Sequence, residues 1–202
     1  VQLDIGRYLE FGPTNLMIQA QRSQAKSTIT AIFAVWYLIH NPQGNVLIIS
    51  AGARQATEIS TLIVRIIMNM PILECMRPDR TAGDKVSVEH FDLHYSIKGI
   101  DKSTSVACMG ITANLQGARA TLLIADDIES KKNSLTAAQR EALLTLTKDF
   151  SSIVQDGRIL YLGTPQSTLS IYNTLPGRGF SVRIWPGRYP TPTQMQDYGA
   201  HL

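Results

Sequence analysis

Ala20-Gln21-Arg22-Ser23-Gln24-Ala25-Lys26-Ser27-Thr28 decides how this chain is read. It stands between an apolar-rich run, Asn15 to Gln19, and a nearly unbroken apolar stretch, Thr28 to Ile39. A short loop ending in Lys-Ser at a helix start is a way to cradle phosphate. Backbone N–H groups turn inward on the oxygens, the lysine reaches the terminal phosphates and the hydroxyl holds Mg²⁺. Lys26 and Ser27 supply the last two. The usual spacing has glycine at the first and sixth positions, where this chain has Ala20 and Ala25. Alanine lets the backbone approach phosphate, but a positive φ costs it about 1 kcal/mol or more. Taken alone, the string also fits a Lys-Ser at an ordinary helix start, so its context has to decide.

The flanks read as a buried strand before the loop and a largely buried helix after it, as in a layered α/β domain. Asn45 to Ser50 and Ala53 to Met70 form a second strand-then-helix unit, with Ile59, Leu62, Ile63, Ile66 and Ile67 at helical spacing. From Val86 to Ile97 the period becomes two, predicting a half-exposed strand with Phe91, Leu93, Tyr95 and Ile97 on one face and His90, Asp92, His94 and Ser96 on the other. That alternation argues against His90 and His94 as metal ligands, because their spacing pairs them only on a helix. Ser105 to Ile111, Leu122 to Asp126 and Arg158 to Gly163 are further strands, and Ala137 to Phe150 is a helix. Alternating strands and helices predict an α/β fold with a mostly parallel central sheet in three layers.

The 202 residues, 44% hydrophobic and 17% charged, suffice for one such domain with a sizeable core. A net charge of +3 permits a nucleic-acid partner without requiring one. Cys75 and Cys108 lack metal-like spacing and read as reduced thiols of a cytosolic protein. Neither a signal peptide nor a membrane span is recognisable. Residues 1–175 are expected to form the nucleotide-binding domain, and 176–202 an edge strand, Phe180 to Trp185, with a Pro/Gly-rich linker. The start at Val1 and the tail suggest a fragment of a longer protein.

A second constellation is Leu122-Leu123-Ile124-Ala125-Asp126-Asp127-Ile128-Glu129, an apolar strand that delivers carboxylates to its C-terminal end. Open α/β sheets bind ligands at that edge. This has the form of a Walker B element: Asp126, with Ser27, would hold Mg²⁺, and Asp127 or Glu129 would orient or deprotonate the attacking water. Glu129, longer and on the same side as Asp127 if the chain stays extended, is favoured, with Asp127 kept open. Acidic residues capping the next helix are the simpler reading, but they leave the wholly apolar strand unexplained. A third element, Leu160 to Gln166, ends in Thr164 and Gln166, which at a strand tip can sense the γ-phosphate and couple its loss to movement. Gly-Thr-Pro alone is an ordinary turn; the order of the three elements gives it weight.

Together, Arg22 to Ser27, Ala125 to Glu129 and Leu162 to Pro165 resemble the ATPase domain of the large terminase subunit, the DNA-packaging motor of tailed bacteriophages, the short-tailed branch above all. The resemblance runs from about Leu16 to about Thr168. Members carry an arginine in the phosphate loop, where Arg22 stands, and many have alanine before the lysine, as Ala25 is here; Ala20 with Ser23 departs from the pattern. The resemblance implies a P-loop NTPase of the RecA-like type that uses ATP and Mg²⁺ to move double-stranded DNA into a procapsid. It also implies a ring of subunits, usually a pentamer, docked on the portal, with the small terminase subunit as a further partner. Such a protein would work in the host cytoplasm, with no membrane. The family's nuclease domain is not expected in this segment.

Gln19, Gln21, Arg22, Ser23, Gln24, Ala25, Lys26, Ser27 and Thr28 are thus the candidate nucleotide-binding residues, Gln19 through the adenine or the loop. Phosphoryl transfer also needs a cation for the developing charge. Arg22 can serve from the loop, and Arg119 or Arg54 can serve a neighbouring subunit, although each reads equally as surface charge. A Ser-His-Asp hydrolase finds no Gly-x-Ser-x-Gly elbow. A helicase-type translocase shares the first two motifs, and a nucleotide-binding module that has lost hydrolysis would explain the alanines. Retention of Lys26, Ser27, Asp126 and Glu129 argues against loss.

Overall fold

The computed structural model describes every residue of the chain except Arg22, Gln116 and Gln155. Its strands are β1 (Asn15–Ala20), β2 (Val46–Ser50), β3 (His90–Phe91), β4 (Val106–Gly110), β5 (Leu122–Asp126), β6 (Arg158–Gly163) and β7 (Ser181–Trp185). They form one sheet in the order β3-β4-β2-β5-β6-β1-β7. Every pairing is parallel except β3 with β4. β2 and β5 bury all five of their residues, the mark of strands covered on both faces, which is why they read as unbroken apolar runs.

Helices supply the covers. On one face lie α1 (Gln2–Phe11), α2 (Lys26–His40) and α3 (Ala53–Asn69), packed over a core that includes Ile18, Ala34, Leu38, Ile48, Ile63 and Ile124. On the other, α6 (Ala137–Lys148), α7 (Phe150–Ile153) and the 3₁₀ turns at 171–178 pack over Met17, Leu123, Tyr161, Tyr172 and Phe180. The alternation of each strand sends successive side chains to opposite cores. α3 is held by its periodicity: Ala56, Ile59, Ser60, Ile63 and Ile67 form its buried stripe. α6 starts at a capping box in which Thr136 and Gln139 satisfy each other's backbone N–H groups. Among the described residues no single helix is long and apolar enough to cross a membrane.

The predicted half-exposed strand from Val86 to Ile97 is a correction. Only His90–Phe91 pairs in the sheet, and α4 (Tyr95–Lys98) follows. His94 caps that helix by accepting from Ser96 N, and the Asp92 carboxylate is buried, paired with Lys98 at 2.8 Å and accepting from Lys85 N. Phe91 and Leu93 are buried as the alternation predicts, but Tyr95 is exposed because the chain has left the strand. Helices without a counterpart in the sequence reading are α1, α4, α5 (Lys131–Ser134), α7, which begins where the predicted helix ends, and α8 (Pro192–Tyr198), the last capped by Thr191 within the segment read as linker.

The strand order matters most for function. β6 lies between β1 and β5, so the C-terminal ends of all three adjoin, and with them the phosphate loop, Thr164 and the acidic turn.

Candidate nucleotide-binding site

The loop after β1 takes the shape its sequence makes costly. Ala25 sits in the left-handed region (φ 59°, ψ 27°) immediately before α2, and Ser23 is left-handed as well (φ 70°). A β-carbon there costs about 1 kcal/mol or more. Ala25 thus fills glycine's conformational role without being glycine. No side chain caps α2, so its first N–H groups face the loop, the arrangement that receives anions. Lys26 is buried, its ammonium donating to Ala20 O at 2.6 Å and towards Gln21 O at 3.4 Å, so its cation lies under the loop. The Gln24 side-chain oxygen is buried in the same loop without a partner.

Across the edge, Ser27 Oγ stands 3.3 Å from both Asp126 oxygens. Asp126 is 7% exposed. Burial first, then the neighbouring Asp127 and Glu58, push its carboxyl up to about 7, against the pull of Ser27 and Lys26. A carboxylate crowded by two others and touching a hydroxyl is short of positive charge, and these oxygen donors would fit a divalent cation. Among the described residues no cluster of three His, Cys, Asp or Glu side chains is arranged to hold a metal. Mg²⁺ does not require one, because it keeps several waters and takes substrate oxygens as ligands.

The cleft beside this pair, about 320 Å³, is lined by Ser27 and Thr28 of α2, Gln55 and Glu58 of α3, and Asp126 and Asp127. Asp127 is left-handed (φ 43°), and its N–H donates to Leu162 O at 2.8 Å. Glu129 goes elsewhere. It is 3% exposed, one oxygen accepts from Ser170 Oγ and Ile171 N, and its own N–H donates to the Tyr172 hydroxyl. The structure therefore brings Asp127 to the cleft and holds Glu129 in the core beneath it.

The remaining predicted residues divide. Thr164 Oγ1 donates to Ala20 O at 3.1 Å, joining the β6 tip to the root of the phosphate loop. Gln166 bonds back to Thr164 O and, with Gln19, lines a separate hollow of about 390 Å³ that α8 closes through Gln194 and Tyr198. The Gln21 carboxamide lies against Gly187, where no side chain would fit. Arg22 lies outside the described residues. Arg119 stands before β5, with Ala120 and Thr121 bonded to Ile153 and Asn45, so it lies at the sheet edge opposite the cleft. Arg54 opens α3, next to the cleft residue Gln55. A larger hollow of about 470 Å³ between α2 and α3, lined by Trp36, Ile39, Ile66 and Met70 among others, is apolar and remote from this chemistry.

Gln55 and Glu58 escaped the sequence reading. The signal was present: they lie on the first turns of the helix after β2, at the same sheet edge, one beside the buried Ala56 and the other beside the buried Ile59.

No protein-family model matches the chain. It is 39% identical over 194 residues to the large terminase subunit of Enterobacteria phage T3, a match spanning 94% of this chain and 32% of that protein. The chain thus corresponds to about a third of the curated relative's length. Among solved structures, the Thermus phage P74-26 large terminase ATPase domain superposes with a TM-score of 0.52 at 21% identity, covering 86% of this chain and 67% of that one. The large terminase of a thermophilic bacteriophage gives 0.56 at 9% identity, covering 98% and 48%. The N-terminal domain of the phi29 DNA packaging ATPase gives 0.53 at 10%, covering 85% and 83%. Sequence and fold agree: the chain is a relative of the phage large terminase subunit and has the P-loop NTPase fold of the terminase ATPase domain.

Proposed function

We propose that this chain is an ATP-hydrolysing motor domain that drives double-stranded DNA into a procapsid. The observation that carries the reading is the contact of Ser27 with both oxygens of Asp126, beside a loop whose Ala25 holds the left-handed turn of a phosphate cradle. In this reading the first N–H groups of α2 and Lys26 bind the phosphates, and Ser27 with Asp126 holds Mg²⁺. When bound, the ion withdraws charge from the phosphate oxygens and aligns them. Asp127, in the cleft, accepts the proton of the attacking water or orients it. Thr164, bonded to the loop's first carbonyl, shifts when the loop does and passes the change to the chain after β6. Arg22 serves in cis, or Arg119 or Arg54 from a neighbouring subunit, as the cation on the developing charge.

A ring of copies docked on a portal, with the small terminase subunit delivering DNA in the host cytoplasm, is the assembly this reading carries. Its test is ATP turnover at rising protein concentration, with and without double-stranded DNA. Turnover that climbs more than linearly with concentration and rises with DNA is expected, as is its loss in Asp126→Asn. Turnover indifferent to both DNA and Asp126 would overturn the reading.

A further inference from the structure

Glu129 lies just beyond the cleft residues, yet its side chain makes no contact there. Its carboxylate receives the start of the 3₁₀ turn Ile171–Thr174, accepting from Ser170 Oγ and from Ile171 N at 3.1 Å, while its N–H is held by the Tyr172 hydroxyl at 3.2 Å. Ser170 accepts in turn from Tyr172 N. Glu129, Ser170 and Tyr172 are all buried, at 3%, 2% and 1% exposed. The other anchor of the turn is the bond from Asp127 N to Leu162 O. Gly163, next in the chain, leaves the space that the Tyr172 ring fills: a β-carbon there would lie 2.6 Å from the ring. The acidic turn is thus pinned to β6 on one side and to the segment behind β6 on the other. Asp127 stands between the two pins in a left-handed conformation that few residues hold unaided.

We propose that Glu129 is a positioning residue: its buried carboxylate locks the acidic turn to Ser170–Tyr172, holds Asp127 towards the cleft and transmits movement between the cleft and the chain that follows Thr164. The proposal rests on reading the cleft as a nucleotide site. One oxygen of the Glu129 carboxylate is committed to two protein donors and the other is buried without a partner, so neither opens to water in the cleft, whereas Asp127 lines it. Because the chain after Thr164 reaches Ser170 within a few residues, the loop contact of Thr164 and the latch of Glu129 grip the same segment from its two ends.

The test compares wild type, Glu129→Gln, Glu129→Ala and Ser170→Ala by backbone hydrogen exchange without nucleotide and by single-turnover ATP hydrolysis at high protein concentration. Glutamine's carbonyl still accepts from Ser170 and Ile171. Glu129→Gln is therefore expected to keep both exchange and hydrolysis within about threefold of wild type, and Glu129→Ala to speed exchange about tenfold or more at Ile171, Tyr172 and also Asp127. Ser170→Ala should fall between them. Faster exchange confined to Ile171 and Tyr172, with Asp127 unchanged, would reduce Glu129 to a local structural part and overturn the proposal. Hydrolysis reduced about a hundredfold or more in Glu129→Gln, with exchange intact, would make it the proton acceptor and overturn it equally. If instead Lys26→Ala binds ATP as wild type does, the nucleotide reading fails, while the exchange comparison still judges the latch.

Discussion

The phosphate loop and the acidic turn meet at Ser27 and Asp126, yet they are held in opposite ways. The loop carries two left-handed non-glycine residues, Ser23 and Ala25, an uncapped helix start and a buried side-chain oxygen without a partner at Gln24. The turn carries one left-handed residue, Asp127, and a buried Glu129 oxygen without a partner, but it is held by hydrogen bonds to Leu162, Ser170, Ile171 and Tyr172. The turn's strain is answered by the fold; the loop's is left, in the proposed reading, for a phosphate to meet.

The largest expected effect comes from where the two regions touch. Asp126, near 3.8 when unfolded, is pushed up to about 7 in the fold by burial, Asp127 and Glu58. The folded chain therefore holds a proton that the unfolded chain has lost between about pH 4 and pH 7, so the contribution of Asp126 to stability is greatest below that window, falls as pH rises through it and levels off above it. The full drop is up to about 4 kcal/mol. Urea melts at pH 5 and pH 8 without Mg²⁺ should show the roughly 3 kcal/mol that falls between those pH values, and Asp126→Asn should flatten it. An unchanged slope in that variant would place the titration elsewhere.

Next comes the turn's support. Gly163→Ala drives a β-carbon into the Tyr172 ring and should cost about 1–3 kcal/mol in chemical denaturation. It should also loosen the acidic turn while leaving the loop's exchange unchanged. The smallest effect probes the loop. Ala25→Gly removes about 1 kcal/mol of left-handed strain and adds a smaller entropic cost to folding, so its melting point should match or slightly exceed wild type. Ala25→Val, branched at the same left-handed position, should cost well over about 1 kcal/mol. If valine were tolerated as well as glycine, the loop would not be strained at all.

The same contrast explains how much could be read from the sequence. β1, the loop, α2 and β5 were legible because a Lys-Ser at a helix start and an apolar strand ending in aspartates each carry their chemistry within a few residues. So was the mostly parallel sheet. Thr164 was legible by its place at a strand tip, though its partner, Ala20 O, was not. Val86 to Ile97 misled: an alternating pattern also arises when a carboxylate turns inward to a lysine, as Asp92 does to Lys98, and when His94 caps a helix. The burial of Glu129 could not be read at all, because it depends on Ser170, 41 residues downstream. Glu58 stayed hidden behind the helical stripe to which Ile59 belongs.

The central claim, that the strained loop is a working phosphate site, is tested most directly by calorimetric titration of a slowly hydrolysed ATP analogue with Mg²⁺ into the chain and into Lys26→Ala. The account predicts saturable binding to the wild type and its loss in a variant that still melts cooperatively. Equal binding by both proteins, or none by either at millimolar analogue, would contradict it.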